Sequence, residues 1–587
     1  MDKTKNKILL SLIILLFILI IIPQLNKPFY FDDISISRAA GSILEGKPSI
    51  LLIETYIPIL TEIYENTDEL KQYILWSWLH PTLSPNMIAL GYKIFGVHEY
   101  SARLVIALFS LGTLLLVYLI AKRIFKNDKR MVALALISAL LYAINPLVIQ
   151  SSLLVCMDMM ETFFIALFFY YFIKYQQIKS GKYLLVLGVV LALLSWTKNS
   201  ATPALFVSVL AFYFLNRKLK KGLLNMFVIS VVGFGIFWVS WLVYNNHYGT
   251  DAFSFLSVQS HFFRAALRSF FSSPSMFLIG RAWAMKNMFF WTVPPFLFLF
   301  AWSVFSRLKK IIASRKFELI DLLWLFPSLI FAQFYLVYPQ IYGFPKHFIP
   351  MMPFMCILVG YFIINSLVPK IRNSKKVFYA ASLVVVLTIV FSFIFLQDPF
   401  IEHNIFYTES ISLEDNLNLY IYNNIKGLLY FAPLLISFAV FFVLLNRKAW
   451  KLRNILVLSL FISLVSLSLY IDYTQLKADY STYYAYGMNG VREAADYLKS
   501  KSEPDDLIIG GRALLYYAER KGYFSYPSIV SEHFNHKLFI RNMIENKTAK
   551  DIVLVPAADA EINTQLEGYK PDRTIGSYTF YERLEEG

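Results

Sequence analysis

Thirteen long apolar stretches punctuate the chain, near 8–24, 102–121, 131–149, 160–177, 183–196, 201–216, 223–244, 287–305, 319–337, 348–368, 377–396, 427–445 and 454–471. A helix crossing a bilayer needs roughly 17–25 predominantly apolar residues, and no soluble core could absorb this many such helices, so the expectation is an α-helical polytopic membrane protein with about 13 spans. Composition agrees: 57% of residues are hydrophobic, against roughly 45–50% in an average soluble domain. The segment Ile8 to Ile22 lies behind Lys3, Lys5 and Lys7 like a secretory signal, but no small-residue cleavage site follows it and further spans do. It reads as an uncleaved first helix, short enough that flanking residues complete it or the bilayer thins around it.

Basic residues orient the spans. With the N-terminus in the cytoplasm, the clusters Lys122 to Arg130, Lys174 to Lys182, Arg217 to Lys221, Arg307 to Lys316, Lys370 to Lys376 and Arg447 to Arg453 all fall on the cytoplasmic side. Together with the three N-terminal lysines they hold 28 Lys and Arg, so a span miscounted early would scatter them over both faces. The net charge of +16 is therefore a topology signal. A nucleic-acid binder would gather it on one soluble surface, and no nucleic-acid partner is expected. The opposite face receives a first loop from 25 to about 100, with 9 acidic and 5 basic residues and apolar runs suited to surface-lying helices. Short loops around Asp158 and Lys198, the loop from Asn245 to Lys286, Tyr338 to His347, and 397–426 join it there.

From Asp472 onward there are 18 acidic and 14 basic residues, net −4, which leaves +20 on the rest. Charges intersperse and apolar runs shorten, so 472–587 reads as a small external α/β domain behind a membrane domain over 1–471. Val491 to Lys499 has helical spacing, Asp506-Leu-Ile-Ile-Gly reads as a strand before a helix at Ala513 to Arg520, and Asp551-Ile-Val-Leu-Val and Thr574 to Tyr581 read as further strands. Two cysteines, Cys156 and Cys356, exclude a cysteine-rich metal site and a disulfide framework.

Charged residues beside hydrocarbon are costly and mark substrate paths or reactive centres. Asp32 and Asp33, in Lys27-Pro-Phe-Tyr-Phe-Asp-Asp, stand just past the first span, and Asp158 stands where a later span reaches the same face. Ile34, Ala39, Ile43 and Leu44 suit an amphipathic helix ending near Gly46. Asp33 could simply cap that helix, worth about 1 kcal/mol, and Asp158 could cap the helix opening near Met159. Successive helical residues point about 100° apart, so the two adjacent acids should serve different ends, with Asp32 freer to face a cavity.

Several segments follow in one order. Arg38-Ala-Ala-Gly-Ser-Ile-Leu-Glu-Gly46 follows the acid pair; then come His80-Pro-Thr-Leu-Ser-Pro, Phe95-Gly96 and Glu99-Tyr-Ser-Ala-Arg103. Ser151-Ser-Leu-Leu-Val-Cys-Met-Asp-Met-Met-Glu161, Leu194-Ser-Trp-Thr-Lys-Asn-Ser200 and Phe344-Pro-Lys-His-Phe-Ile-Pro-Met-Met-Pro353 complete the series. Over about 1–365 this pattern resembles the integral-membrane glycosyltransferases of the GT-C type, above all the protein O-mannosyltransferases and the lipid A aminoarabinose transferases. This chain has Asp32-Asp33 where such enzymes often carry Asp-Glu.

The resemblance implies an inverting transferase that moves one sugar from a polyprenyl-phosphate carrier, of undecaprenyl or dolichyl type, to a protein, lipid or glycan acceptor. The active site and soluble domain would lie outside a plasma membrane. Asp32, Asp33 and Asp158 become the catalytic candidates, with Asp32 as general base; His80, Arg103, Lys198, Lys346 and His347 become candidates for the donor phosphate. A divalent cation held by Asp32 and Asp158 is a further candidate, since oxygen ligands suit a hard ion. The plain alternatives are a structural histidine at His80 and a snorkelling lysine at Lys198. The rival class is a polytopic transporter or flippase, whose acids would be coupling-ion or substrate sites; transporters usually show internal repeats and mid-span charges, whereas these charges lie at one edge.

Overall fold

The computed structural model describes residues 3–29, 32–47, 81–249, 252–253, 291–333, 345–367, 450–477, 490–504, 506, 508–520, 522–524, 551–554, 566, 568–576 and 578–584. The expected spans 377–396 and 427–445, the 397–426 stretch, His80, most of the first loop, the Tyr480 to Tyr486 aromatic cluster and the Asn546 sequon lie outside them.

The membrane domain opens with α1 (Lys3–Ile21), extended by a short 3-10 turn, Ile22–Gln24, with Pro23 at its start. The first loop supplies α2 (Asp32–Leu44) and α3 (Leu83–Phe95). Then follow α4 (Glu99–Ile124), α5 (Met131–Ala143), α6 (Pro146–Leu153), α7 (Asp158–Ile178), α8 (Lys182–Thr197), α9 (Thr202–Leu215) and α10 (Leu219–Tyr248). After 291 come α11 (Pro294–Ser314), α12 (Leu322–Ala332), α13 (Met352–Phe362) and α14 (Trp450–Lys477).

By length and apolar character alone, four helical segments among the described residues can cross a bilayer, or five if the bent α5–α6 pair is one span. The 131–149 stretch expected as one span is thus two helices meeting at 59°. Asn145 explains the break: its side chain accepts the Leu147 N–H and caps α6, while Pro146 at the first helical position lacks the N–H that would continue α5. The stretch expected at 348–368 starts in a 3-10 turn, Pro345–Met351, because prolines at 345, 350 and 353 withhold backbone donors.

Helix contacts are tight where small residues meet. A side chain at Gly188 would strike Val232 at 2.5 Å, and one at Gly233 would strike Leu191 at 2.8 Å, so the α8–α10 approach depends on both glycines. The buried core runs through α4, α5, α7 and α13, with Leu114, Leu134, Ile165 and Phe354 wholly inaccessible. Leu19, Phe227, Val239 and Val243 are exposed on the outside of the bundle, which suits acyl chains.

The two loop helices behave differently. Although amphipathic, α2 does not lie on the surface: Ile34, Ile36, Ala39 and Ala40 are fully buried and Ser35 and Ser37 nearly so. By contrast α3 keeps Leu90, Ile94 and Phe95 exposed, as an interfacial helix would.

The C-terminal sheet region, expected as the soluble domain, carries α15 (Val491–Lys501), β1 (Ile508–Gly510), α16 (Arg512–Ala518), β2 (Gly522–Phe524), β3 (Asp551–Leu554), β4 (Tyr569–Ile575) and β5 (Tyr578–Arg583). The sheet order is β2-β1-β3-β5-β4, parallel at β2-β1-β3 and antiparallel beyond. The single strand expected over Thr574 to Tyr581 is instead a hairpin turning at Gly576, whose φ of +56° favours glycine.

Candidate active site

The ends of the bundle differ in chemistry. Where α4 and α7 finish, Arg123 donates to Gln177, and Arg130 reaches the Ile364 carbonyl past α13. Where α4 and α7 begin, α8 ends and the 345–351 turn starts, the chain gathers Asp33, Arg103, Asp158, Glu161, Lys198, Lys346 and His347, all but His347 buried or nearly so.

Two knots of charge form there. In the first, Asp33 and Arg103 make an ion pair of 3.0 Å with both side chains only 2% exposed. The other Asp33 oxygen accepts the Val155 N–H at 2.7 Å. Arg103 sends Nε to the Leu153 carbonyl at 2.8 Å, one terminal nitrogen to the carbonyls of Leu25 (3.2 Å) and Lys27, and the other to Pro28 (3.0 Å) and Asp33. A guanidinium has five N–H donors, and all five meet protein acceptors. Arg103 therefore ties down Leu25, Lys27, Pro28 and Asp33 and has no donor left for the phosphate expected of it. Both oxygens of Asp33 are engaged, and they tie the start of α2 to Arg103 and to Val155, just past the end of α6. The preceding residue, Asp32, opens α2.

In the second knot, Asp158 opens α7 with no capping bond, since Met157 is the cap residue. Its Oδ1 instead lies 2.5 Å from Lys198 Nζ and 3.6 Å from His347 Nδ1. Lys198, at the C-terminal edge of α8, is thereby drawn inward to a carboxylate and does not snorkel along the helix end. Lys346 is buried in the same turn that carries His347. Glu161, three residues after Asp158 on the same helical face, accepts Ser200 Oγ at 2.9 Å and the Ala201 N–H at 2.8 Å. Gln333 closes the same turn by donating to the Ser200 carbonyl. Sequence reasoning misses Glu161, although its i, i+3 spacing from Asp158 is a signal that could find it.

The two knots are one chain segment apart: Val155, bonded to Asp33, stands three residues before Asp158. Asp33 pairs with Arg103, Asp158 with Lys198 and His347, and Lys346 is buried in the turn that carries His347, while His80 lies outside the described residues. Among the described residues no three His, Cys, Asp or Glu side chains converge as metal ligands. The Asp158 carboxylate is matched by the Lys198 ammonium.

Residues 79–244 match the family model described as dolichyl-phosphate-mannose-protein mannosyltransferase. The fold is that of ArnT from Cupriavidus metallidurans, solved bound to undecaprenyl phosphate: the TM-score is 0.57 at 14% identity, covering 100% of this chain and 99% of that one. It is also similar to the oligosaccharyltransferase AglB from Archaeoglobus fulgidus, solved with an inhibitory peptide and a dolichol-phosphate, at a TM-score of 0.53 and 13% identity over 99% of this chain and 74% of that one. The chain thus has the polytopic helical fold of these GT-C glycosyltransferases, and the family match falls within the stretch that carries its motifs. A curated relative, an uncharacterized protein of Aquifex aeolicus (strain VF5), is 27% identical over 336 residues, 54% of this chain and 58% of the relative. The match thus spans little more than half the length of that relative.

Proposed function

We propose that the chain transfers one sugar, with inversion, from a polyprenyl-phosphate donor to an acceptor on the external face of the membrane. The observation that carries this reading is the contact of Lys198 and His347 with Asp158, beside Lys346 buried in the turn that carries His347. Cations rooted at a helix edge and in an irregular proline-rich turn can meet a lipid phosphate that slides in sideways from the bilayer. As the sugar–phosphate bond breaks, charge grows on the departing phosphate, and groups fixed beforehand stabilise it without reorganising. Lys346 takes that part as the charge, with His347 beside it as an N–H donor. Lys198 is held for it by Asp158, and its turn is held by Glu161.

On the other side of the anomeric carbon an acceptor hydroxyl must lose its proton. Asp32 is the general base, because its neighbour Asp33 is committed to Arg103 and Val155. Such a base is worth typically about 10²–10⁴-fold. Front-side attack is blocked by the leaving phosphate, so backside attack inverts the anomeric centre.

The test is transfer by purified protein from a polyprenyl-phosphate sugar to a peptide or glycolipid acceptor, with the product anomer read by NMR. Asp32→Asn is expected to lose about 10²-fold or more in kcat. Transfer undiminished in that variant removes Asp32 from the mechanism, and a retained anomer removes the single-displacement reading.

A further inference from the structure

The soluble domain reaches into the membrane domain through two successive residues of α16, Tyr516 and Tyr517. The Tyr517 hydroxyl accepts the Phe29 N–H at 2.5 Å and donates to Glu99 Oε1 at 2.9 Å. Arg492, on α15, donates to the same Glu99 oxygen at 2.7 Å and to the Asn26 carbonyl at 2.8 Å. Tyr516 meets Phe29 edge to face, with ring centroids 6.2 Å apart, and its hydroxyl lies 3.3 Å from Ser37 Oγ, which is itself 2.7 Å from the Tyr92 hydroxyl. Arg38, on α2, stacks over the Tyr516 ring at 5.2 Å.

Apart from Glu99 at the start of α4 and Tyr92 in α3, the residues contacted, Asn26, Phe29, Ser37 and Arg38, lie on the approach to the Asp32–Asp33 helix and on the helix itself. Residues 25–29 have no regular hydrogen-bonded structure to fix them beyond the end of the 3-10 turn. From the membrane side Arg103 holds their carbonyls at Leu25, Lys27 and Pro28. From the soluble side Tyr517 holds the N–H of Phe29, whose ring lies 5.1 Å from the Arg103 guanidinium carbon. Burial, followed by the nearby Glu99 carboxylate, pushes the Tyr517 phenol up, so it stays protonated and donates to Glu99 throughout the neutral range.

We propose that Tyr517 is a positioning residue: its hydroxyl, bridging the Phe29 N–H and the Glu99 carboxylate, fixes the entry of the Asp32–Asp33 helix, so the soluble domain is a working part of the site. For its activity readout this rests on the glycosyltransferase reading; for its structural readout it does not. Losing the hydroxyl leaves a buried N–H without its acceptor, and the segment should then open to solvent.

Hydrogen exchange of the full chain in lipid nanodiscs, followed on the peptide covering 26–33, compares the parent with Tyr517→Phe, Glu99→Gln and the control Tyr497→Phe, whose ring sits elsewhere in the soluble domain. Tyr517→Phe is expected to exchange about tenfold faster in that peptide, with α7 unchanged and kcat lowered about tenfold at constant donor KM. Glu99→Gln should produce the same local opening, and the double variant should add little to either. Tyr497→Phe should match the parent. Unaltered exchange at 26–33, additive effects of Tyr517→Phe and Glu99→Gln, or faster exchange with full kcat overturns the positioning role. A parent that transfers no sugar instead overturns the glycosyltransferase reading, and exchange alone then decides the part played by Tyr517.

Discussion

Asp32 and Asp33 are chemically identical neighbours to which the structure gives opposite tasks, and exchanging each for asparagine separates them. At Asp33 the ion pair with Arg103 spans 3.0 Å with both side chains 2% exposed. At an effective dielectric of about 20 the attraction is roughly 5 kcal/mol before desolvation. In Asp33→Asn the new amide could still accept the Val155 N–H with its oxygen, but its nitrogen would then face the Arg103 guanidinium, donor against donor. Turning the amide over only moves the conflict to Val155. Removing one partner of such a buried pair costs about 3–5 kcal/mol, because the remaining charge stays buried without compensation. For a chain of this length unfolding as one unit, that lowers the melting temperature by roughly 3–4 °C. The assay is thermal unfolding in detergent by intrinsic fluorescence, run beside sugar transfer on the fraction that remains folded. Asp33→Asn should melt early and retain activity per folded molecule within a few-fold, whereas Asp32→Asn should melt with the parent and lose transfer. An Asp33→Asn protein that keeps the parent's melting temperature yet transfers no sugar refutes the assignment of Asp33 as a buckle.

Three further outcomes follow from the same geometry. Asp158→Asn and Lys198→Met should each destabilise the protein and abolish transfer, while the double variant recovers stability by about 1–3 kcal/mol relative to the sum of the singles; additive melting shifts would mean that the 2.5 Å contact carries no coupling. With Asp158 matched by an ammonium, treatment with EDTA should leave the transfer rate unchanged; a loss that Mg²⁺ or Mn²⁺ restores would put an ion back into the site. Cysteines introduced at Asn26 and Asn199 should react with a membrane-impermeant maleimide from outside intact cells, and one at Lys220 should react only after permeabilisation; labelling of Asn26 and Asn199 from opposite sides would break the common face on which the mechanism depends.

The amino-acid order by itself determined the class of architecture. Apolar runs of bilayer length can be satisfied only by spanning helices, and the placement of Lys and Arg in alternate loops constrains their direction. Charge at the edges of spans singled out Asp32, Asp33 and Asp158, and the resemblance carried by the motifs added His80, Arg103, Lys198, Lys346 and His347 to the set. What each of them does was decided in three dimensions. Arg103 is far from Leu25, Pro28 and Leu153 along the chain, and only the packing of α4 beside residues 25–28, Asp33 and the end of α6 places five acceptors around its five donors. Asp158 could have capped its helix on local grounds, yet Lys198 approaches from the end of α8 and captures its carboxylate. The docking of Tyr517 on Phe29 joins residues 488 positions apart, a pairing on which local periodicity has no bearing. Periodicity and charge report the cost of placing a residue in a given solvent, whereas a side chain's role depends on which partners the fold delivers to it, and those arrive from distant parts of the chain.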